Sequence, residues 1–241
     1  MPYQLLDIKA AANYLHLTPE VVEQRAKEGA IPSEKRGGRI VFRKTDIEAW
    51  ASQNILGLDS AELSAFHEGA AGGDFQPQGA LLPPLLSSGA FASAMTSKTK
   101  ASVLRDLVAL ADKTGQLNDP AGLLESLEER EELCSTAVPG GFALPHPRSQ
   151  QQYLFEKSFM VVGRTLQEIY FGAPDGEATT LFFLICCQGD RLHLHTLARL
   201  CVMTQKTGVL SQLRDAPDAQ TMRDALIAAE TEVLSRPVSH H

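Results

Sequence analysis

Two kinds of hydrophobic pattern alternate in the carboxy-terminal two thirds of the chain. Runs 159–163 and 181–187 are continuously apolar, as in strands that are buried on both faces. Residues 97–114 instead place apolar side chains at the spacing of one helical face: Val103, Leu104, Leu107, Val108, Leu110 and Ala111. The alternation predicts an α/β fold in which helices cover both sides of a mixed sheet.

Helix start signals occupy the segments around these strands. Asn118-Asp119-Pro120 combines an N-cap with a proline in the first turn, and predicts a helix that runs to about Glu131. The segment Ala173-Pro174-Asp175-Gly176 predicts a turn, because proline, aspartate and glycine favour turns. Three later helices are predicted over 191–205, 207–214 and 218–235.

The first 28 residues carry a shorter helical pattern. Apolar residues at helical spacing predict a helix over 8–15. Thr18 followed by Pro19 predicts the N-cap and first position of a second helix, which ends before Gly29. This pattern is typical of a small helical domain.

A hairpin and a third helix follow. Gly37-Gly38 lies between residues that favour strands and predicts a hairpin over 35–42. Thr45 is predicted to cap the third helix, with Ile47 and Trp50 facing inward.

A change of composition separates the two patterns. Gly69-Ala70-Ala71-Gly72-Gly73 is typical of a flexible linker, and the apolar run 81–86 is predicted to begin the second domain. We therefore predict a first domain, a linker, a second domain and a tail, over 1–56, 57–79, 80–236 and 237–241.

The charge is distributed unevenly between these parts. The chain has a formal net charge of −7, yet residues 1–52 hold eight Lys/Arg against seven Asp/Glu. The remainder holds 14 against 22. A near-neutral head on an acidic body predicts two modules with different partners.

The four cysteines show neither a disulfide framework nor the spacing of metal ligands. Reduced thiols in a cytoplasmic protein are the expectation. No run approaches the ~20 apolar residues of a membrane span, and no secretory signal is apparent. We expect no metal, no cofactor and no membrane span.

The segment 135–148 is the stretch most suggestive of chemistry. Its two glycines and three prolines cannot continue a helix, so His146 is predicted on a loop or at a strand end. Pro145 and Pro147 restrict the backbone on each side. The alternative is a turn that merely contains a histidine.

The run 129–131, continued by Ser135-Thr136 and 143–146, resembles the active-site segment of enzyme IIA domains of the phosphotransferase system, of the fructose, mannitol and nitrogen-regulatory type. The resemblance continues through 171–176, 181–184 and 193–197, and covers about 80–236. It implies the α/β sandwich of those domains.

The resemblance also implies roles for particular side chains. His146 is the expected phosphate acceptor, presented unhindered on a surface loop, with Arg130 donating to the phosphoryl oxygens. His193, rather than His195, is the expected second ring, and the hydroxyls of the Ser135-Thr136 pair are expected to orient the loop. For Arg130 the alternative is a solvated ion pair among neighbouring glutamates.

The head is similar to the small winged helix-turn-helix domain of excisionases and MerR-like regulators, through 10–15, 29–32 and 43–50. The similarity implies that the second helix enters the DNA major groove and that the hairpin is a wing facing phosphate. The implied nucleic-acid-binding residues are Gln24, Arg25 and Lys27 on the helix, and Lys35, Arg36 and Arg39 on the wing. Because Glu20 and Glu23 repel phosphate, a protein-docking module is the alternative.

Three functions remain open at this point. In the first, the histidine-containing phosphocarrier protein phosphorylates His146, and this alters what the winged-helix head binds, DNA included. In the second, the chain is a soluble relay that passes phosphate to an enzyme IIB for sugar uptake. In the third, it is a non-phosphorylated module that binds a transporter or kinase.

Overall fold

The computed structural model describes residues 4–15, 17–57, 79–148 and 153–235. It divides into two units, residues 1–77 and 78–241. Of the predicted linker over 57–79, residues 58–78 lie outside the described residues, and so does the tail over 237–241.

The described residues of the first unit form three helices and a three-stranded antiparallel sheet of order β1-β3-β2. Its elements are β1 Leu5–Leu6, α1 Ile8–Leu15, α2 Pro19–Lys27, β2 Glu34–Arg36, β3 Arg39–Arg43 and α3 Lys44–Gly57. The Thr18 side chain caps α2 by accepting from the Val21 amide, as predicted. Gly37 and Gly38 form the hairpin tip with positive φ angles, which glycine adopts at little cost.

The third helix begins two residues earlier than a cap at Thr45 predicts. Helix α3 begins at Lys44, directly after β3, so Thr45 already lies in its first turn. The Lys44 amide donates to the Gln4 carbonyl at 2.9 Å, and the Thr45 hydroxyl donates to Asp46. Ile47 is buried as expected, whereas Trp50 is only partly buried.

The second unit has a mixed five-stranded sheet of order β4-β7-β8-β6-β5. The pairs β4/β7 and β6/β8 are parallel, whereas β7/β8 and β5/β6 are antiparallel. The strands are β4 Phe91–Met95, β5 Ala137–Val138, β6 Phe142–Ala143, β7 Phe159–Ile169 and β8 Thr179–Cys186. The helices are α4 Lys100–Asp112, α5 Pro120–Leu133, α6 Asp190–Lys206, α7 Val209–Asp215 and α8 Ala219–Ser235, and the α/β prediction is confirmed.

Strand β4 was not predicted, because its run Phe-Ala-Ser-Ala-Met has large apolar residues only at its ends. It forms by pairing with β7, which also continues beyond the predicted 159–163 to Ile169. Gly163 allows the close approach, since a Cβ there would collide with the Met95 sulfur. Pairing across 70 residues of sequence therefore decides this edge of the sheet.

A buried carboxylate anchors the start of the second unit. Glu230 on α8 accepts from the backbone amides of Leu81 and Leu82, and pairs with Arg199 of α6 at 3.3 Å. Both charged side chains are nearly inaccessible to solvent. The segment 81–86 thus belongs to this unit's core.

Candidate active site

His146 lies just beyond β6, on a segment held inside the unit. The Leu144 amide donates to the Thr136 carbonyl at 3.0 Å, and the Pro145 carbonyl accepts from Ile185 of β8 at 2.9 Å. These bonds carry the segment alongside the sheet, and His146 is only 3% exposed. The expectation of an unhindered imidazole on a surface loop is therefore wrong for this conformation.

The contacts of the His146 ring define which nitrogen carries the proton. Nδ1 lies 2.8 Å from the Leu144 carbonyl oxygen, which can only accept. Nε2 lies 3.1 Å from Nε of Arg130, which can only donate. Nδ1 must therefore be protonated, and the lone pair is on Nε2.

Arg130 projects from the last turn of α5 into this pocket and is 1% exposed. Its Nη1 donates to the Cys134 carbonyl at 3.0 Å and lies 3.3 Å from the Cys134 sulfur. Its Nη2 is buried and has no hydrogen-bond partner among the residues that the structure describes. The alternative of a solvated ion pair is wrong, and a fixed cationic donor remains available beside His146.

A second imidazole lies against the first. His193 is in the first turn of α6, and its ring centroid is 4.7 Å from that of His146, with the planes inclined by 55°. His195, two residues further along, is fully buried. The structure thus brings together His146, Arg130 and His193, which come from three separate parts of the chain.

The environment favours neutral rings. Burial lowers the pKa of His146 well below its usual value, and the charges of His193 and Arg130 lower it further, against the opposing effect of the Leu144 hydrogen bond. Burial, with Arg130 second, lowers the pKa of His193 to about 4. At neutral pH the lone pair on Nε2 is therefore not occupied by a proton.

The two hydroxyls of the loop bond to protein groups. Ser135 donates to the Phe171 carbonyl at 2.8 Å and accepts from the Ala137 amide at 3.1 Å. The Thr136 hydroxyl and amide both donate to the Glu131 carboxylate. Both side chains thus bond to groups on either side of the loop, and their role in orienting it stays a prediction.

Glu131 is a residue that sequence reasoning passed over. It stands next to Arg130 in the matching motif, and only its position five residues before Thr136 hinted at a contact with the loop. Its other partner is Lys100, whose Nζ lies 2.6 Å from the carboxylate. Lys100 and Glu131 are 31 positions apart in the sequence, so no local pattern could have indicated this ion pair.

The wing of the first unit presents the expected basic side chains. Lys35, Arg36 and Arg39 are all exposed. Glu34 at the base of the wing pairs with Arg36 at 3.3 Å and also with Arg43. Part of the wing's positive charge is therefore compensated locally.

On the predicted recognition helix α2, more of the positive charge is compensated by neighbouring carboxylates. Lys27 pairs with Glu23 at 2.7 Å, and the side-chain amide of Gln24 donates to the Glu28 carboxylate at 2.9 Å. Arg25 is half-buried. The wing, rather than α2, offers the greater excess of positive charge.

The described ranges contain neither a cluster of metal ligands nor a membrane-spanning helix. There, no group of three His, Cys, Asp or Glu side chains is placed to hold a metal ion. Nor does any helix in those ranges combine the length and apolar character that crossing a membrane requires. The four cysteines all lie in the described ranges, where none forms a disulfide bond and three are buried.

Comparison with known families identifies the second unit. The model of the family described as "Phosphoenolpyruvate-dependent sugar phosphotransferase system, EIIA 2" matches residues 85–229. The chain belongs to this EIIA family. A helix-turn-helix domain family matches residues 5–55, so the chain joins that domain to an EIIA domain.

Curated relatives match the EIIA part. The fructose-specific EIIABC component of Bacillus subtilis is 27% identical over 132 residues, which are 54% of this chain but only 20% of that protein. The chain therefore spans about a fifth of that relative's length. A nitrogen regulatory protein of Bradyrhizobium diazoefficiens is 32% identical over 145 residues, which are 59% of this chain and 92% of that protein.

Solved structures show the same EIIA fold. The nitrogen regulatory protein IIA-Ntr of Neisseria meningitidis aligns with a TM-score of 0.54 at 23% identity, over 59% of this chain and 97% of that one. Escherichia coli IIA mannitol aligns with a TM-score of 0.52 at 18% identity, over 58% and 98%. A complex of the E. coli IIA and phosphorylated IIB mannitol enzymes gives 0.53 at 17%, over 59% and 97%.

Proposed function

We propose that this EIIA domain is a regulatory phosphoacceptor, which receives a phosphoryl group on Nε2 of His146 from the histidine-containing phosphocarrier protein. The observation that carries the proposal is the buried Nη2 of Arg130, which has no acceptor among the described residues although it belongs to the guanidinium bonded to Nε2. A donor fixed in this way is suited to an incoming anion.

The transfer needs no proton movement at the acceptor ring. The Nε2 lone pair attacks phosphorus, the new N–P bond forms, and the N–P bond of the carrier breaks with its electron pair returning to the carrier's nitrogen. The proton stays on Nδ1, bonded to the Leu144 carbonyl. The Arg130 guanidinium exchanges Nε2 for phosphoryl oxygens, and the neutral His193 ring beside it supplies a further polar contact.

Burial of His146 adds a step. An imidazole that is 3% exposed cannot meet a phosphorus atom held by another protein until the segment around it opens. The same observation favours a second candidate, a binding module that is never phosphorylated. The two candidates differ in whether His146 matters for partner binding.

Phosphorylation would act on the helix-turn-helix domain through charge. The phosphoryl group carries about −1.5 to −2 charges, of which the proton that stays on Nδ1 offsets about one, so phosphorylation makes an already acidic EIIA domain more negative. We propose that this change alters what the helix-turn-helix domain binds, with Lys35, Arg36 and Arg39 of the wing contacting DNA phosphates. A protein partner of that domain is the alternative.

A relay to an enzyme IIB is the remaining alternative. The B. subtilis relative is named as a fructose-specific EIIABC component, and the E. coli mannitol IIA was solved with a phosphorylated IIB. By this analogy His146 would pass its phosphoryl group onward to a sugar system. Transfer of label from the chain to a IIB domain would distinguish this relay from a terminal phosphoacceptor.

Incubation with phosphocarrier protein, enzyme I and radiolabelled phosphoenolpyruvate tests the proposal. We expect acid-labile label on the wild-type chain, none on His146→Ala, and wild-type labelling of His67→Gln, a histidine outside the EIIA match. DNA binding is then measured on the phosphorylated and on the unphosphorylated wild-type chain. If the wild type takes no label, and His146→Ala binds the same partners, the non-phosphorylated module is the correct function.

A further inference from the structure

A buried carboxylate, that of Glu131, lies beside the site and bonds to the loop that leads to His146. Glu131 follows Arg130 in the last turn of α5 and is 7% exposed. A negative charge at this end opposes the helix dipole, and burial adds a desolvation cost. Such a group persists only where strong partners compensate both costs.

Through its partners, Glu131 of α5 is bonded both to the loop at Thr136 and to α4 at Lys100. Oε1 accepts from the Thr136 amide at 3.0 Å and from the Thr136 hydroxyl. Oε2 pairs with Lys100 at the start of α4, whose Nζ also donates to the Phe171 carbonyl at 3.2 Å and lies 4.7 Å from the Phe171 ring centroid. The carboxylate thus fixes Thr136 relative to both helices.

The bonds continue from Thr136 to the imidazole. The Thr136 carbonyl accepts from the Leu144 amide at 3.0 Å. The Leu144 carbonyl in turn accepts from Nδ1 of His146 at 2.8 Å. Because the last bond determines which ring nitrogen is protonated, the position of Thr136 determines where the lone pair of His146 lies.

We propose that Glu131, held by Lys100, is a positioning residue of the phosphoacceptor site: by fixing Thr136 it aligns the Leu144 carbonyl that keeps the proton on Nδ1 of His146. This inference rests on the proposed function for its effect on phosphorylation. Its effect on the ring does not depend on that function. The Thr136 hydroxyl is committed to Glu131, so it positions the loop and is not a phosphate ligand.

The first measurement is the protonation pattern of the His146 ring, from its ¹⁵N chemical shifts at neutral pH. The wild type is expected to show Nδ1–H. Glu131→Leu combined with Lys100→Met removes the anchor without leaving an unpaired buried charge, and is expected to give a mixture of the two tautomers. Thr136→Val, which keeps the side-chain shape, is expected to give a smaller admixture.

The second measurement is the labelling rate with the phosphocarrier protein. The Glu131/Lys100 double variant is expected to label about 10–100-fold more slowly, because small errors in alignment are costly in group transfer. Glu131→Gln retains an acceptor for Thr136 and is expected to recover most of that loss. Glu125→Gln, at an exposed position of the same helix, is the matched control and is expected to match the wild type.

The two measurements separate the two proposals. If Thr136→Val and the double variant both keep Nδ1–H and the wild-type rate, Glu131 is not a positioning residue. If the double variant does not fold, Thr136→Val alone decides by the same criterion. If the tautomer changes while no form is labelled, the positioning role holds and the phosphoacceptor function fails.

Discussion

Lowering the pH should destabilise the EIIA domain through its two buried histidines. The pKa of His193 is lowered to about 4 in the folded chain, whereas an exposed histidine titrates near 6.5. Between pH 6.5 and pH 4, His193 therefore binds a proton in the unfolded chain but stays neutral in the folded chain. Between pH 7.5 and pH 5 this difference removes about 2 kcal/mol from the free energy of unfolding, and about 3 kcal/mol once pH 4 is passed. The pKa of His146 is lowered as well, so His146 adds a loss of the same sign.

Urea unfolding at a series of pH values measures this loss. Far-ultraviolet circular dichroism follows the whole chain, while fluorescence of Trp50, the chain's single tryptophan, follows the unit formed by residues 1–77. The transition that Trp50 does not report belongs to the EIIA domain. His193→Gln cannot titrate, so its stability should depend less on pH, by about 2 kcal/mol between pH 7.5 and pH 5.

One result would refute this reasoning. If wild type and His193→Gln lose stability equally between pH 7.5 and pH 5, then His193 binds its proton equally well in the folded and unfolded chain. The ring would then be charged at mildly acid pH, and burial would not keep the site neutral.

Three further substitutions test other parts of the chain. Arg130→Lys should slow labelling of His146 about 100-fold while the chain stays folded, because one ammonium cannot replace the guanidinium fork; equal rates in the carrier assay would contradict this. Arg39→Ala should weaken DNA binding at every sequence tested and lower the slope of log affinity against log salt by about 1; an unchanged slope in a salt titration would exclude phosphate contact. Glu230→Ala should cost about 3–5 kcal/mol in urea unfolding, since it leaves Arg199 buried without its carboxylate; a loss below 1 kcal/mol would show that water reaches the site.

Local signals were sufficient for most of the helices. The Asp119-Pro120 start of α5 was predicted from its cap, and the Asp119 side chain does accept from the Gly122 amide. The strands β7 and β8 were visible as apolar runs because both are buried almost throughout. Caps and burial patterns act within a few residues, so they can be recognised without knowledge of the fold.

The residues of the candidate site were identified by a motif, but their arrangement was not. The resemblance selected His146, Arg130 and His193, and the structure places them in contact. It gave no indication that His146 would be 3% exposed or that Nη2 of Arg130 would be buried with no partner among the described residues. Burial depends on which elements pack over a side chain, and those elements are distant in the sequence.

The sequence alone determined the two-part organisation, the α/β class of the second part and the identity of the histidine at its centre, because periodicity, caps and motifs are local properties of the chain. Only the tertiary structure decided which nitrogen of His146 carries the proton. It also decided that Glu131 pairs with Lys100 and bonds to Thr136 of the loop. These features depend on contacts between α4, α5, the segment after β6 and α6. Such contacts form only when the sheet has assembled, and no local pattern records them.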